Sequence, residues 1–183
     1  ALPAITKGKY GTEIGWFDLR DKDTMRQAIT VASETMTWLN SLIAGVDSMP
    51  LDVLKARGVK LSNGAGINAI TIAEYVVMGM LSIAKGYREV VRAQDRHEWL
   101  RSAPGTAELY GSKALILGYG AIGQLVAQRL KPFEVDVTVV RRGPQGPGEL
   151  GPDQWRSRLG EFDWIILSVP ATAETNGMIA ASE

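Results

Sequence analysis

A doubly wound parallel α/β sheet is the fold this sequence predicts, and three consecutive segments predict it. Lys113-Ala-Leu-Ile-Leu117 is a short apolar, strand-like run, and it feeds directly into Gly118-Tyr-Gly120-Ala121-Ile122-Gly123. Gln124-Leu-Val-Ala-Gln-Arg-Leu-Lys continues with helical periodicity to Pro132, and Val135-Asp-Val-Thr-Val-Val140 then alternates and is β-branched. A strand, a glycine turn, a helix and a second strand make a Rossmann-type βαβ unit, in which the turn wraps a dinucleotide pyrophosphate. Gly118 permits the tight turn, Gly120 lets the backbone approach phosphate, and Gly123 lets helix and strand pack closely. The unpaired N–H groups of the new helix, at Ala121 and Ile122 among others, face the anion.

The second strand ends in Arg141, eighteen residues past Gly123, with Arg142 behind it. An Asp or Glu there accepts hydrogen bonds from the ribose 2′-hydroxyl of NAD, whereas a guanidinium suits the 2′-phosphate of NADP. NADP is therefore the expected cofactor and NAD the second choice. The plainer reading of both arginines, solvated charges at a strand end, stays open.

Before this unit, glycines at 8, 11 and 15 break the opening, and Asp23-Thr-Met-Arg-Gln-Ala-Ile-Thr-Val31 reads as a short helix. Trp38-Leu-Asn-Ser-Leu-Ile43 reads as a strand ending in Ala44-Gly45-Val46-Asp47, then Leu51 to Arg57 as a helix stopped by Gly58, and Val59 to Ser62 as a strand. A long helix starts at Thr71, with Thr71 and Glu74 spaced as a capping box; its apolar side chains point most ways, which predicts burial nearly all round, in part by a second subunit. Tyr87 to Leu100 is a polar amphipathic helix closed by Pro104-Gly105, and the proline- and glycine-rich stretch 143–152 is a surface loop. Trp155 to Leu159 resumes as helix, and Phe162 to Val169 is a strongly buried strand. The domain boundary falls at 62/63: residues 1–62 form part of one domain and 63–183 a dinucleotide-binding domain. Both Trp155 and Trp164 belong to the core.

Twenty basic and twenty acidic residues cancel, with no long run of either sign, so a polyanion-binding surface and a nucleic-acid partner are not expected. The absence of cysteine removes disulfides, thiolate nucleophiles and Cys-based metal sites, and it fits a reducing compartment, the cytoplasm. No apolar run has the roughly 20 residues a spanning helix needs, so no membrane is expected. Ala1-Leu-Pro-Ala shows neither an initiating Met nor a signal-peptide pattern, which suggests a start inside a longer product.

Ser41-Leu-Ile-Ala-Gly-Val-Asp47, Asn63-Gly-Ala-Gly-Ile-Asn68 with Ile72-Ala-Glu74, Glu108-Leu-Tyr-Gly111, the glycine fingerprint and Val169-Pro-Ala-Thr-Ala-Glu-Thr175 together resemble the D-2-hydroxyacid dehydrogenase family, in order and over about residues 38–183. The resemblance implies a Rossmann-type coenzyme domain and part of a smaller, flavodoxin-like α/β substrate domain. It implies hydride exchange between a nicotinamide cofactor and a small 2-oxo or 2-hydroxy acid, glyoxylate or hydroxypyruvate being the guess, in a homodimer built on the long helix. It also implies that backbone N–H groups of Ala44 and Gly45 hold the substrate carboxylate, and that Val169, Pro170 and Thr175 border the adenosine half of the cofactor.

Two features depart from the family pattern. Arg141 stands where most NAD-using members have Asp. The family's catalytic Arg, Glu and His come from segments after Met178-Ile-Ala-Ala-Ser-Glu183, so no catalytic residue is identifiable here and the chain, apparently truncated, is expected not to turn over alone. Ketone reduction needs a proton donor and a carbonyl-polarising cation. The single histidine, His97, lies among charged neighbours and reads as a surface residue; no metal site is expected, since His97-Glu98 lacks a second histidine at zinc-helix spacing. Asp47 reads as a turn residue and Glu74 as a cap. The alternative function is a dinucleotide-binding sensor or interaction module without catalysis. Ketol-acid reductoisomerase-type enzymes would share the glycine turn but not the 44–47 loop.

Overall fold

The computed structural model describes residues 14–17, 22–32 and 34–181; the glycines at 8 and 11 lie outside them. The chain divides into two compact units, one running to Ile67 with Ala171–Ala173 added, the other comprising Asn68–Pro170 and the residues from Glu174 onward.

The first unit alternates strand and helix: β1 (Ile14–Phe17), α1 (Lys22–Ala32), β2 (Trp38–Ser41), α2 (Leu51–Ala56) and β3 (Lys60–Ser62). All three strands are parallel in the order β1-β2-β3, and Leu39 pairs with Gly15 on one side and Leu61 on the other. That central position removes Leu39 from solvent, and it packs with Ile29, Met36, Met49, Leu54 and Val59. Full burial of such a side chain stabilises by roughly 1.5–3 kcal/mol.

The second unit opens with two helices, α3 (Ala69–Ala84) and α4 (Tyr87–Asp95), bent by 72° at their junction. β4 (Lys113–Leu117), α5 (Ala121–Leu130), a 3₁₀ turn at Lys131–Phe133 and β5 (Asp136–Val140) then form the crossover the periodicity predicts. β6 (Glu149–Leu150), a 3₁₀ segment at Arg156–Glu161 and β7 (Trp164–Leu167) complete a parallel sheet of order β6-β5-β4-β7. β4 is interior, so both of its faces are covered and Ala114 to Leu117 are all fully buried. Alternate side chains go to opposite layers. Ala114 and Ile116 pack with Ala73, Met80, Val126 and Leu130 of α3 and α5, while Leu115 and Leu117 pack with Val140 and Trp155 on the other side. Helices on one face and the Trp155 segment on the other make the sheet doubly wound.

Several expectations for individual elements change. The long helix starts at Ala69 with Asn68 at its N-cap and no side-chain cap bond, so Thr71 lies inside the first turn and cannot cap. Glu74 is exposed and reaches Arg129 at 4.0 Å instead. α3 is not buried all round: it packs through Ala73, Met80 and Ala84 and leaves Ile70, Ile72, Tyr75, Met78 and Ile83 exposed. α4 stops at Asp95, earlier than its polar pattern suggests, because the chain turns left-handed at His97. There the N–H of Glu98 donates to the Ala93 carbonyl and that of His97 to Gln94, a Schellman closure that ends a helix. The 143–152 stretch holds a strand, β6, too short to show periodicity. Trp155 starts a 3₁₀ segment where an α-helix was expected. Among the described residues β7 is the last strand of the sheet, and Ile166 is buried while Ile165 and Leu167 are exposed, less burial than its apolar sequence predicts. Trp155 is fully buried, and half-buried Trp164 packs on the core while donating its indole N–H to Ser112 Oγ at 3.2 Å.

Candidate functional site

The fingerprint turn is built by backbone contacts on every side. Gly118 adopts φ +101°, and a Cβ there would stand 2.8 Å from the Ser168 carbonyl oxygen. A Cβ on Gly123 would stand 2.1 Å from the Gly118 carbonyl oxygen, so neither position accepts a side chain. Gly120 differs: its φ is −79°, and an added Cβ would meet nothing within 4 Å. The middle glycine thus faces open space, the room a phosphate needs against the backbone. Gly120 is also the N-cap of α5, and the first helical bond runs from Gln124 N–H to its carbonyl at 3.0 Å. The N–H groups ahead of Gln124, including those of Ala121 and Ile122, have no carbonyl one turn back and point out of the helix end, where the helix dipole favours an anion. The residues present therefore fit a dinucleotide pyrophosphate.

Neighbouring strands fix this turn. Gly118 N–H donates to the Val140 carbonyl at 3.0 Å, and Ser168 donates its backbone N–H to Leu117 and its hydroxyl to the Gly118 carbonyl, both at 2.8 Å. Gln124 closes it from above, its side-chain amide donating to the Tyr119 carbonyl at 3.1 Å.

Arg141 follows β5 directly and is tied to β6 through its N–H to the Leu150 carbonyl at 3.0 Å. Its side chain is half-buried, stands 5.8 Å over the Tyr119 ring and reaches Glu149 at 3.5 Å. Arg142 is exposed and makes no ion pair among the described residues. The structure thus brings Gly118, Gly120, Gly123 and Arg141 to one end of one sheet, with Arg142 next in the chain and exposed. Half-buried Val169 packs against the Leu115, Leu117 and Trp155 cluster beside the turn. Thr175 donates its hydroxyl to the Pro170 carbonyl at 2.5 Å, closing the loop after β7.

In the first unit, Ala44 and Gly45 lie on the exposed loop after β2. Ser41, buried, exchanges hydrogen bonds with the backbone of Ile43 at 3.2 and 3.3 Å. From the next strand, Asn63 donates its side-chain amide to the Ala44 carbonyl at 2.7 Å, and Gly64 N–H donates to Ile43 at 3.1 Å. With its carbonyls held this way, the loop keeps the Ala44 and Gly45 N–H groups clear of any partner among the described residues.

Sequence reading assigned no role to Ser168, Tyr119, Asn63 or Glu149. Asn63 and Ser168 sit inside or beside motifs that were recognised, and their side-chain bonds reach across strands, which no local pattern reveals. His97 is exposed on the helix stop after α4, apart from the fingerprint turn. Among the described residues no group of three or more His, Asp or Glu side chains is placed to hold a metal ion, and no single helix is long and apolar enough to cross a membrane.

This arrangement defines a Rossmann-type dinucleotide-binding domain. The model of the D-isomer specific 2-hydroxyacid dehydrogenase NAD-binding domain matches residues 77–183, and the chain belongs to that family. It is 28% identical to a D-3-phosphoglycerate dehydrogenase of Mycobacterium tuberculosis strain ATCC 25618 / H37Rv, over 91% of this chain and 36% of that protein. It is 27% identical to the mouse (Mus musculus) glyoxylate reductase/hydroxypyruvate reductase, over 84% of this chain and 49% of that one. The chain therefore spans between a third and a half of the length of these curated relatives. Among solved structures, a glyoxylate reductase from Paecilomyes thermophila shares the fold with a TM-score of 0.72 at 22% identity, covering 84% of this chain and 48% of that one. An NAD-dependent formate dehydrogenase from Staphylococcus aureus, solved with NAD, gives 0.70 at 23% identity, covering 93% and 52%.

Proposed function

We propose that this chain is the coenzyme-binding part, with a portion of the substrate domain, of an NADPH-dependent reductase acting on a small 2-oxo acid of the glyoxylate or hydroxypyruvate kind. Arg141 carries the cofactor choice: it is half-buried at the end of β5, beside the fingerprint turn, where the adenosine ribose is read. Its forked donors match a 2′-phosphate, and each charge-assisted hydrogen bond contributes roughly 1.5–3 kcal/mol. When bound, the nicotinamide supplies the hydride for ketone reduction. What this chain contributes is binding: the α5 N-terminus holds the pyrophosphate, Val169, Pro170 and Thr175 border the adenosine half, and the free N–H groups of Ala44 and Gly45 hold the substrate carboxylate. The proton donor and the carbonyl-polarising cation are assigned to no residue of this chain.

Titration of NADPH and NADH into wild type and Arg141→Asp tests the cofactor reading. NADPH should bind at least about tenfold more weakly to the variant, equivalent to about 1.4 kcal/mol, with NADH little changed. Equal wild-type affinities, untouched by the substitution, would return Arg141 to a surface role.

The same reading includes a homodimer through α3. Its exposed Tyr75, Met78 and Ile83 adjoin an open groove of about 690 Å³ lined by Val77, Leu81, Tyr87 and Phe133. An apolar surface of this kind is uncommon on a monomer. Light scattering of the intact parent protein should return twice its subunit mass at micromolar concentration; a stable monomer would refute it.

A further inference from the structure

Glu149 is the one carboxylate bonded to Arg141 among the described residues, and it is more buried than its partner, with 17% of its side chain exposed against 33%. One carboxylate oxygen faces the Arg141 guanidinium at 3.5 Å, and the other accepts the Gln145 backbone N–H at 2.6 Å. Glu149 therefore spans from Arg141 to the loop that follows it. β6 holds it there: Glu149 pairs in register with Val139 of β5, and the loop closes through Glu149 N–H to the Gly146 carbonyl and Val139 N–H to Gly148. The Arg141 guanidinium also stands 5.8 Å over the Tyr119 ring. It is thus held by an aromatic face and an internal anion.

An internal anion at this position has a consequence for recognition. A 2′-phosphate brings close to two negative charges to the donors that Glu149 already engages. It must displace the carboxylate from Arg141 and then sit near it, and like charges in proximity oppose binding. A ribose 2′-hydroxyl meets no such repulsion and can donate to a carboxylate.

We propose that Glu149 is a specificity-determining residue that competes with the cofactor 2′-phosphate for Arg141 and so narrows the preference for NADPH over NADH. This rests on the assignment of Arg141 to the 2′-phosphate. The competition is electrostatic, so it is removed by neutralising Glu149 while keeping an acceptor for the Gln145 N–H, which Glu149→Gln does.

The test is fluorescence titration of NADPH and NADH into the full chain as wild type, Glu149→Gln, Glu149→Ser, Arg141→Asp and the double variant Arg141→Asp/Glu149→Gln. Glu149→Gln should tighten NADPH by at least about threefold and leave NADH within about twofold, raising the ratio of the two affinities. Glu149→Ser, whose hydroxyl is too short to reach the Gln145 N–H, should raise the ratio in the same direction. In the Arg141→Asp background the gain should shrink to the like-charge part alone, because the competition for the guanidinium has lost its object. An unchanged ratio in both Glu149 variants would overturn the proposal, as would NADPH and NADH weakening together, the mark of a purely structural role. A gain that persists at full size without Arg141 would overturn it too. If Arg141→Asp weakens NADPH while the Glu149 variants do nothing, only Glu149 loses its role. If Arg141→Asp leaves NADPH untouched, the cofactor reading itself falls and Glu149 with it.

Discussion

Two strand-to-helix crossings, β4 to α5 and β2 to α2, run the same parallel topology and end in different kinds of loop. At β4 the loop has Gly118 and Gly123 set against backbone, with no space for a side chain at either, and Gly120 open between them, so that its own N–H groups are the binding surface. At β2 the loop is longer and exposed, and it is held by side chains, Ser41 beneath and Asn63 across from β3. A backbone-built loop is rigid and intolerant of substitution. A side-chain-built loop can be loosened one hydrogen bond at a time. The first should fail abruptly and the second by degrees.

Gly123→Val should give the largest effect, since its Cβ alone would overlap the Gly118 carbonyl. Loss of detectable nucleotide binding and a destabilisation of about 3 kcal/mol or more are expected in denaturant melts. A variant that binds NADPH normally would break the contrast at its root. Leu115→Ala, under the same turn and fully buried, should cost roughly 2–5 kcal/mol by chemical denaturation. Its effect on nucleotide affinity should be smaller than that of Gly123→Val, because the glycine contacts themselves survive.

Asn63→Ala addresses the other loop. It removes the side-chain amide's bond to the Ala44 carbonyl and the bond that its side-chain oxygen accepts from Ala65 N–H, at a cost of about 1 kcal/mol. On the proposed reading of the 44–45 loop, glyoxylate should bind the NADPH-loaded chain several-fold more weakly while NADPH affinity stays put. Equal damage to both would show that the two loops do not behave differently.

The smallest effect concerns the stop after α4, a third loop, closed by backbone bonds and braced by the Arg96–Glu98 side-chain pair. A hydrogen bond from the Arg96 guanidinium holds the Glu98 carboxyl below the usual carboxylate range. A group lowered in this way stabilises the fold above its unfolded pKa, and the contribution is lost as pH falls through its lowered value. The emission of adjacent, exposed Trp99 should therefore change only below the ordinary carboxylate range, and Glu98→Gln should remove that acid transition. A transition near neutrality would point to another group.

Much of this contrast is visible in the chain before any coordinates. The β4–α5–β5 crossover announces itself because its periodicity changes from strand to helix to strand around fixed glycines, and Trp155 is read as core from its apolar setting. Burial patterns are less legible. The Phe162 to Val169 run looks interior but β7 is the last strand of the sheet among the described residues, since strand order depends on partners remote in sequence. Thr71 and Glu74 have capping-box spacing, but α3 begins at Ala69, where tertiary packing of Ala69 and Ala73 sets the start. At the site, Arg141 is found by counting from Gly123. Glu149 is missed because β6 has only two residues, and nothing local says that a carboxylate eight positions on returns to the arginine.

The Ser168 clamp on Gly118 also sets an order in time. The nucleotide turn is complete in sequence by Gly123, yet the Ser168 hydroxyl and N–H that hold Gly118 and Leu117 come from 50 and 51 residues further along. During translation at roughly 5–20 residues per second, those partners arrive on the order of 2–10 s after the glycines themselves. Until then β4 lacks a neighbour on the β7 side and the turn lacks its lock. Nascent chains that end before Ser168 should therefore carry every glycine of the fingerprint and still fail to retain the nucleotide.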